Sequence, residues 1–152
     1  MLDEILKKFS AEENLIIEYH GWIVLFRVPQ VTLGSLVLIY SEKDATSLGD
    51  ISEYSFAKLP GLLEIIESFF REQLGAEKFN YLALMMLDPQ PHFHFFPRYP
   101  KSGKFLGENY EDISWPGPID ITTSSSVNYD SKKEIISSLK AFIRLQENNK
   151  SL

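Results

Sequence analysis

The sequence predicts an α+β fold with an antiparallel sheet, and three observations carry that expectation. Short apolar runs (NLIIEYH, WIVLFRV and SLVLIYS) follow one another with turn residues between them, as in a meander. Leu62, Leu63, Ile66, Phe69, Phe70 and Leu74 then recur at helical spacing and end at Gly75. A final stripe of Ile135, Ile136, Leu139, Phe142 and Ile143 predicts a C-terminal helix. Strands and helices that come in blocks, without strict alternation, give a sheet covered by helices.

Taken in order, residues 2–9 read as a short amphipathic helix. The first two strands join at a tight His20-Gly21 turn, where His20 is expected to serve the hairpin. Pro29 closes the second strand and Gly34 precedes the third. Pro60 suits a helix start, where its missing N–H costs little. The helix that follows should lie across one face of the sheet. A fourth strand is expected over KFNYLALMML, residues 78–87, and a fifth over PQPHFHFFPRYP, residues 89–100. Residues 101–130 show no clear periodicity, and Pro116, Gly117 and Pro118 predict an irregular connector. Ser131 and Glu134 form a candidate capping box for the last helix.

At 152 residues one domain is expected, spanning 1–152, with a core of about 14–100 and a C-terminal loop and helix over 101–152. A net charge of −6 argues against a general nucleic-acid or membrane-surface binder, because phosphate backbones attract Lys/Arg-rich surfaces. The absence of cysteine removes disulfides, thiolate zinc sites and cysteine nucleophiles. With no secretory-type N-terminus and no run of about 18 apolar residues, a cytoplasmic, soluble protein is expected.

Side chains alternate along a strand, so Gln90, His92 and His94 share one face while Pro91, Phe93 and Phe95 share the other. The phenylalanine face suits packing against a helix. The polar row is not required for folding. Two imidazoles about 7 Å apart, from a repeat of roughly 3.3 Å per residue, can address one small ligand. Three readings fit: a metal site, which would need a further ligand such as His20 or a carboxylate; nucleophilic attack on phosphorus; and histidines satisfied by ordinary hydrogen bonds on a half-exposed strand.

The run Gln90-Pro91-His92-Phe93-His94-Phe95-Phe96-Pro97-Arg98 resembles the signature of the histidine-triad (HIT) superfamily, with Gln in the first histidine position. VPQVTLGSLVLIY, the long helix, LGAEKFNYLAL and DPQPHFHFFPR follow that family's order of elements, so the resemblance covers roughly residues 14–100. It implies a HIT-like fold: a five-stranded antiparallel sheet with a long helix packed on it and an additional C-terminal helix. It further implies a homodimer joined edge to edge and a nucleotide hydrolase or nucleotidyl transferase acting at an α-phosphate. The expected substrates are dinucleoside polyphosphates or nucleoside phosphoramidates. His92 would be the nucleophile, His94 would bond phosphate or leaving-group oxygens, and Gln90 would orient His92 through its amide. If the register moved by one histidine, His94 would attack, but Pro97-Arg98 anchors the first assignment. No protein-bound cofactor or metal is implied, with Mg accompanying a polyphosphate substrate.

The chain departs from the family pattern near Met86, where a phosphate-binding Asn is usual, and at Phe26 or Arg27, where a ribose acceptor is usual. Arg27 can bind phosphate, but guanidinium only donates hydrogen bonds. The same fold could therefore bind nucleotide with weak turnover or none. Arg98, Lys101 and Lys104 form a local basic run that could attract a phosphate chain or simply be solvated. Tyr110 and Trp115 are expected to be packed aromatics, and Asn80 a strand-edge hydrogen-bonding residue.

Overall fold

The structure is a computed structural model that describes residues 1–150; the last two residues of the expected 1–152 unit lie outside the described residues. Helices α1 (Leu2–Lys8) and α2 (Ala11–Asn14) precede the hairpin of β1 (Leu15–Tyr19) and β2 (Trp22–Phe26), which β3 (Leu36–Tyr40) extends. Helix α3 (Glu53–Leu74) leads to β4 (Lys78–Leu82) and β5 (His92–Arg98). Strands β6 (Gly103–Phe105) and β7 (Glu108–Tyr110) form a separate hairpin, and α4 (Tyr129–Lys150) ends the described chain. The main sheet is antiparallel in the order β1-β2-β3-β5-β4.

Both faces of the sheet are covered, which is why β2 and β3 read as unbroken apolar runs and not as alternating ones. One face carries Trp22, Val24, Phe26, Leu36, Leu38, Tyr40 and Phe95 against Leu62, Ile66 and Phe70 of α3 and Ile135 and Leu139 of α4. The other carries Ile23, Leu25, Val37 and Ile39 under Ile5 and Phe9, in and just after α1. Register then fixes the histidines: Ile39 is opposite His92 and Val37 opposite His94, so both imidazoles lie on the α1 face.

Several elements differ from the sequence reading. Helix α3 begins seven residues before Pro60, at Glu53, and is capped by Ser52, whose side chain accepts the Ser55 N–H at 3.1 Å. A capped start outweighs the one backbone bond that Pro60 removes inside the helix. Gly75 ends it in the left-handed region (φ 74°), as expected. Strand β4 stops at Leu82, and Met85 has a positive φ of 38°. Leu84, Met86 and Leu87 are exposed, so the apolar run LALMML is mostly loop and not a buried strand. The start of α4 is served by Asn128, whose Oδ1 accepts the Ser131 N–H at 2.7 Å; the Ser131 hydroxyl is buried without a partner. At the first hairpin His20 has φ 45° and Gly21 φ 89°, the pair of positive values a tight two-residue turn requires.

Residues 101–130 contain more order than their composition suggests. Buried Arg98 forms an ion pair with Asp112 at 2.6 Å and also donates to Asn80 Oδ1, Ser114 Oγ and the Gly117 carbonyl. This guanidinium ties the connector to the end of β5. Asp112→Ala strips a buried cation of its carboxylate and is expected to cost about 3–5 kcal/mol. Urea denaturation measures this, and a loss no larger than that of an exposed ion pair would contradict the clamp.

Candidate functional site

Strand β5 and the chain leading into it build the site. Gln90 is fully buried just before the strand, and its side-chain Nε2 donates to the carbonyls of Tyr40 (2.5 Å) and Glu42 (3.0 Å). The Tyr40 N–H in turn donates to the Pro91 carbonyl at 2.9 Å. This junction fixes the Gln90 backbone carbonyl, which lies 2.7 Å from His92 Nδ1. A carbonyl only accepts, so Nδ1 carries a proton, and in the neutral ring the lone pair is on Nε2. Gln90 thus orients His92 through its backbone oxygen. The expectation that its side-chain amide would do so is corrected, because that amide is engaged with β3.

His94 has the opposite arrangement. Its Nδ1 faces Arg27 Nε, a pure donor, at a long 3.4 Å, which leaves the ring proton on Nε2. The two imidazole centroids are 4.9 Å apart at 86°, closer than the strand repeat alone implies, because the side chains lean together. Phe9 meets the His94 ring edge-on at 6.0 Å, and Phe96 stacks on it at 6.2 Å. Burial lowers the His94 pKa to about 4, helped by His92, Arg27 and Lys8 and opposed by Asp88. His94 is therefore neutral at pH 7. The pair sets His92 Nε2, where the neutral ring has its lone pair, beside the N–H donor of His94.

These groups line a cleft of about 380 Å³ with Lys8, Phe9, Arg27, Val28, Pro29, residues 84–88 and Ile121. Arg27 is on the histidine face because Phe26 turns into the core. Half-buried, Arg27 donates from Nη1 to the Pro29 carbonyl, and burial lowers its pKa while leaving it a cation. Lys8 reaches the cleft from the end of α1 and pairs with Asp88 at 2.5 Å. Sequence reading missed Lys8, Phe9 and Asp88 as site residues. A lysine ending a short amphipathic helix carries no local signal of what it will face.

The remaining basic candidates are elsewhere. Arg98 spends its donors on Asp112, Asn80, Ser114 and Gly117, so the expectation that it binds substrate is corrected to a structural role. Lys101 and Lys104 are exposed, follow β5 and do not line the cleft. Tyr110 donates to the Leu74 carbonyl and packs on Tyr99, and Trp115 is half-buried in the connector. His20 bonds the Tyr54 hydroxyl at 2.6 Å, remote from the cleft. Among the described residues no three His, Asp or Glu side chains cluster so as to hold a metal ion.

Comparison with solved structures matches this architecture over most of the chain. A histidine triad protein of Bradyrhizobium japonicum is 22% identical, with 88% of this chain and 94% of that one covered and a TM-score of 0.68. A histidine triad protein of Marinobacter aquaeolei is 16% identical, with 91% and 94% covered and a TM-score of 0.70. The chain has the histidine-triad fold. A third match, to a hypothetical histidine triad nucleotide-binding protein of Sulfolobus tokodaii, is 14% identical, covers 92% and 91%, and has a TM-score of 0.63. No family model and no curated protein sequence matches the chain. Likeness at these identities is likeness of fold.

The His94 environment sets a pH dependence. Its folded pKa of about 4 lies below the ordinary 6.5, so as pH falls the unfolded chain takes up this proton first. The contribution is complete above pH ~6.5 and is lost progressively down to pH ~4. His94→Asn is expected to lose less stability than the wild type over that window, measured by urea denaturation at several pH values. Equal losses in the two proteins would contradict a neutral, buried His94.

Proposed function

We propose that the protein is a nucleotide hydrolase or nucleotidyl transferase that acts at an α-phosphate through a nucleotidyl-His92 intermediate. The observation that carries this reading is the complementary proton placement on His92 and His94 within a cleft that also holds Arg27 and Lys8. A neutral imidazole whose Nδ1–H is already held by a carbonyl is a nucleophile at Nε2. The match to a protein described as nucleotide-binding points to the same ligand class.

In the first step the His92 Nε2 lone pair forms an N–P bond, and the bond from phosphorus to the leaving group breaks with its electron pair on the leaving group. The imidazolium so formed keeps its Nδ1–H on the Gln90 carbonyl, which stabilises the new positive charge. His94 Nε2–H donates to a phosphoryl oxygen as negative charge builds there, and Arg27 adds its cation. Water then attacks the same phosphorus, the N–P electron pair returns to His92, and the water proton leaves to solvent. An acceptor other than water would give transfer in place of hydrolysis. Dinucleoside polyphosphates fit this scheme as written; nucleoside phosphoramidates fit it with a proton taken from solvent by the departing amine.

A homodimer belongs to the same reading, since β4 ends the sheet with one edge unpaired. A second reading, nucleotide binding with little turnover, is favoured by one feature: residues 84–87 present Leu and Met side chains to the cleft where an amide would grip phosphate. Turnover separates the two.

His92→Ala is expected to keep the fold by circular dichroism and to lose at least about 10³-fold in turnover of diadenosine tetraphosphate or adenosine phosphoramidate. Intact-protein mass spectrometry of quenched wild type should show an acid-labile nucleotidyl adduct that His92→Ala lacks. An adduct that survives in His92→Ala and vanishes in His94→Ala would move the nucleophile. Tight nucleotide binding with no adduct and no product would replace the enzyme by the binding protein.

A further inference from the structure

The Lys8–Asp88 pair joins α1 to the loop before β5 across 80 residues of sequence, at the mouth of the histidine cleft. Its side chains are 47% and 21% exposed, and a pair this open to solvent adds little to stability. Its position is more informative than its strength. In a chain of net charge −6, two cations stand beside the histidines, and one of them is covered by a single carboxylate. Arg27 is held through Nε and Nη1, and its Nη2 has no partner among the described residues. Lys8 and Arg27 thus belong to two different elements that meet at one cleft.

We propose that Lys8 is a phosphate-binding residue of this cleft, that Asp88 occupies its ammonium until a phosphate chain displaces the carboxylate, and that the substrate therefore carries two or more linked phosphates. This rests on the nucleotide reading above and narrows it. With Arg27 beside His94 at the phosphorus under attack, Lys8 takes the next phosphate of the chain. A phosphate oxyanion bonds an ammonium at least as well as a carboxylate does, and it brings more charge, so the exchange is favourable. The same loop bears Leu84, Met86 and Leu87, the last two 83% and 89% exposed, apolar side chains at the cleft that suit an apolar group such as a base.

The leaving group gives independent support. A phosphate departs as a stable anion and needs no proton, whereas an amine must be protonated as it leaves. The histidine beside the nucleophile is neutral at pH 7, with a pKa of about 4, so it is a donor of hydrogen bonds and not a source of protons. Lys8 and Arg27 both stabilise an anionic leaving group and do nothing for a neutral one.

Calorimetry with AMP, ADP and ATP, without added divalent metal, tests this on the wild type, Lys8→Gln and Asp88→Asn. Lys8→Gln is expected to weaken ADP and ATP by about ten-fold and AMP by less than about two-fold. Asp88→Asn, which leaves Lys8 uncovered, is expected to tighten ADP and ATP and leave AMP nearly unchanged. Equal effects on AMP and ADP, or no effect of Lys8→Gln on either, would overturn the assignment. Because binding is read directly, the outcomes separate from those of the hydrolase reading. Lys8-dependent ADP binding without a His92 adduct supports Lys8 and removes the enzyme; an adduct with Lys8-independent binding does the reverse. No nucleotide binding at all overturns both.

Discussion

The arrangement of the site depends on one hydrogen bond, from His92 Nδ1–H to the Gln90 carbonyl at 2.7 Å. It fixes which nitrogen of His92 is free, and the surrounding structure holds that carbonyl still. Gln90 is buried and tied by its amide to Tyr40 and Glu42, so the start of β5 is stapled to the end of β3. The Pro91 carbonyl accepts from Tyr40, closing the same junction from the other side. Behind it, the β3–β5 pairing is packed between α3 and α1, so neither strand can slip without exposing a full row of apolar side chains. The precision of the site is supplied by a core far larger than the site.

Burial has a second consequence. On the α1 face the histidines share their layer with Phe9 and Phe96, and this apolar surround keeps His94 uncharged. Positive charge is therefore delivered by residues that reach in from the rim, Arg27 just after β2 and Lys8 at the end of α1. In the proposed reaction the imidazoles make and direct bonds while the longer side chains handle charge. An acidic protein can attract an anion in this way, through two local cations and a cleft with low-dielectric walls.

Much of this was legible in the sequence where the signal was periodic. Alternation placed His92 and His94 opposite Phe93 and Phe95, apolar runs with turns indicated the sheet, and apolar stripes at helical spacing indicated the two long helices. What was not legible depended on partners distant in sequence. Arg98 reads as one of a basic cluster, yet Asp112, 14 residues on, and the Gly117 carbonyl take its donors. Lys8 reads as a helix surface residue, yet it faces Asp88. The run LALMML has strand composition, but its apolar side chains rim a cleft and do not enter a core, and composition cannot tell those two uses apart. Gln90 stands beside His92, but whether a residue meets its neighbour through its side chain or its carbonyl is decided by what the side chain finds to bond.

The most direct measurement is the tautomeric state of the two imidazoles, from long-range proton–nitrogen correlation spectra of the ¹⁵N-labelled protein near pH 7. His92 should carry a proton on Nδ1, and His94 should be uncharged with its proton on Nε2. A proton on His92 Nε2, or a charged His94 at that pH, would remove the free lone pair or the neutral donor and contradict the arrangement.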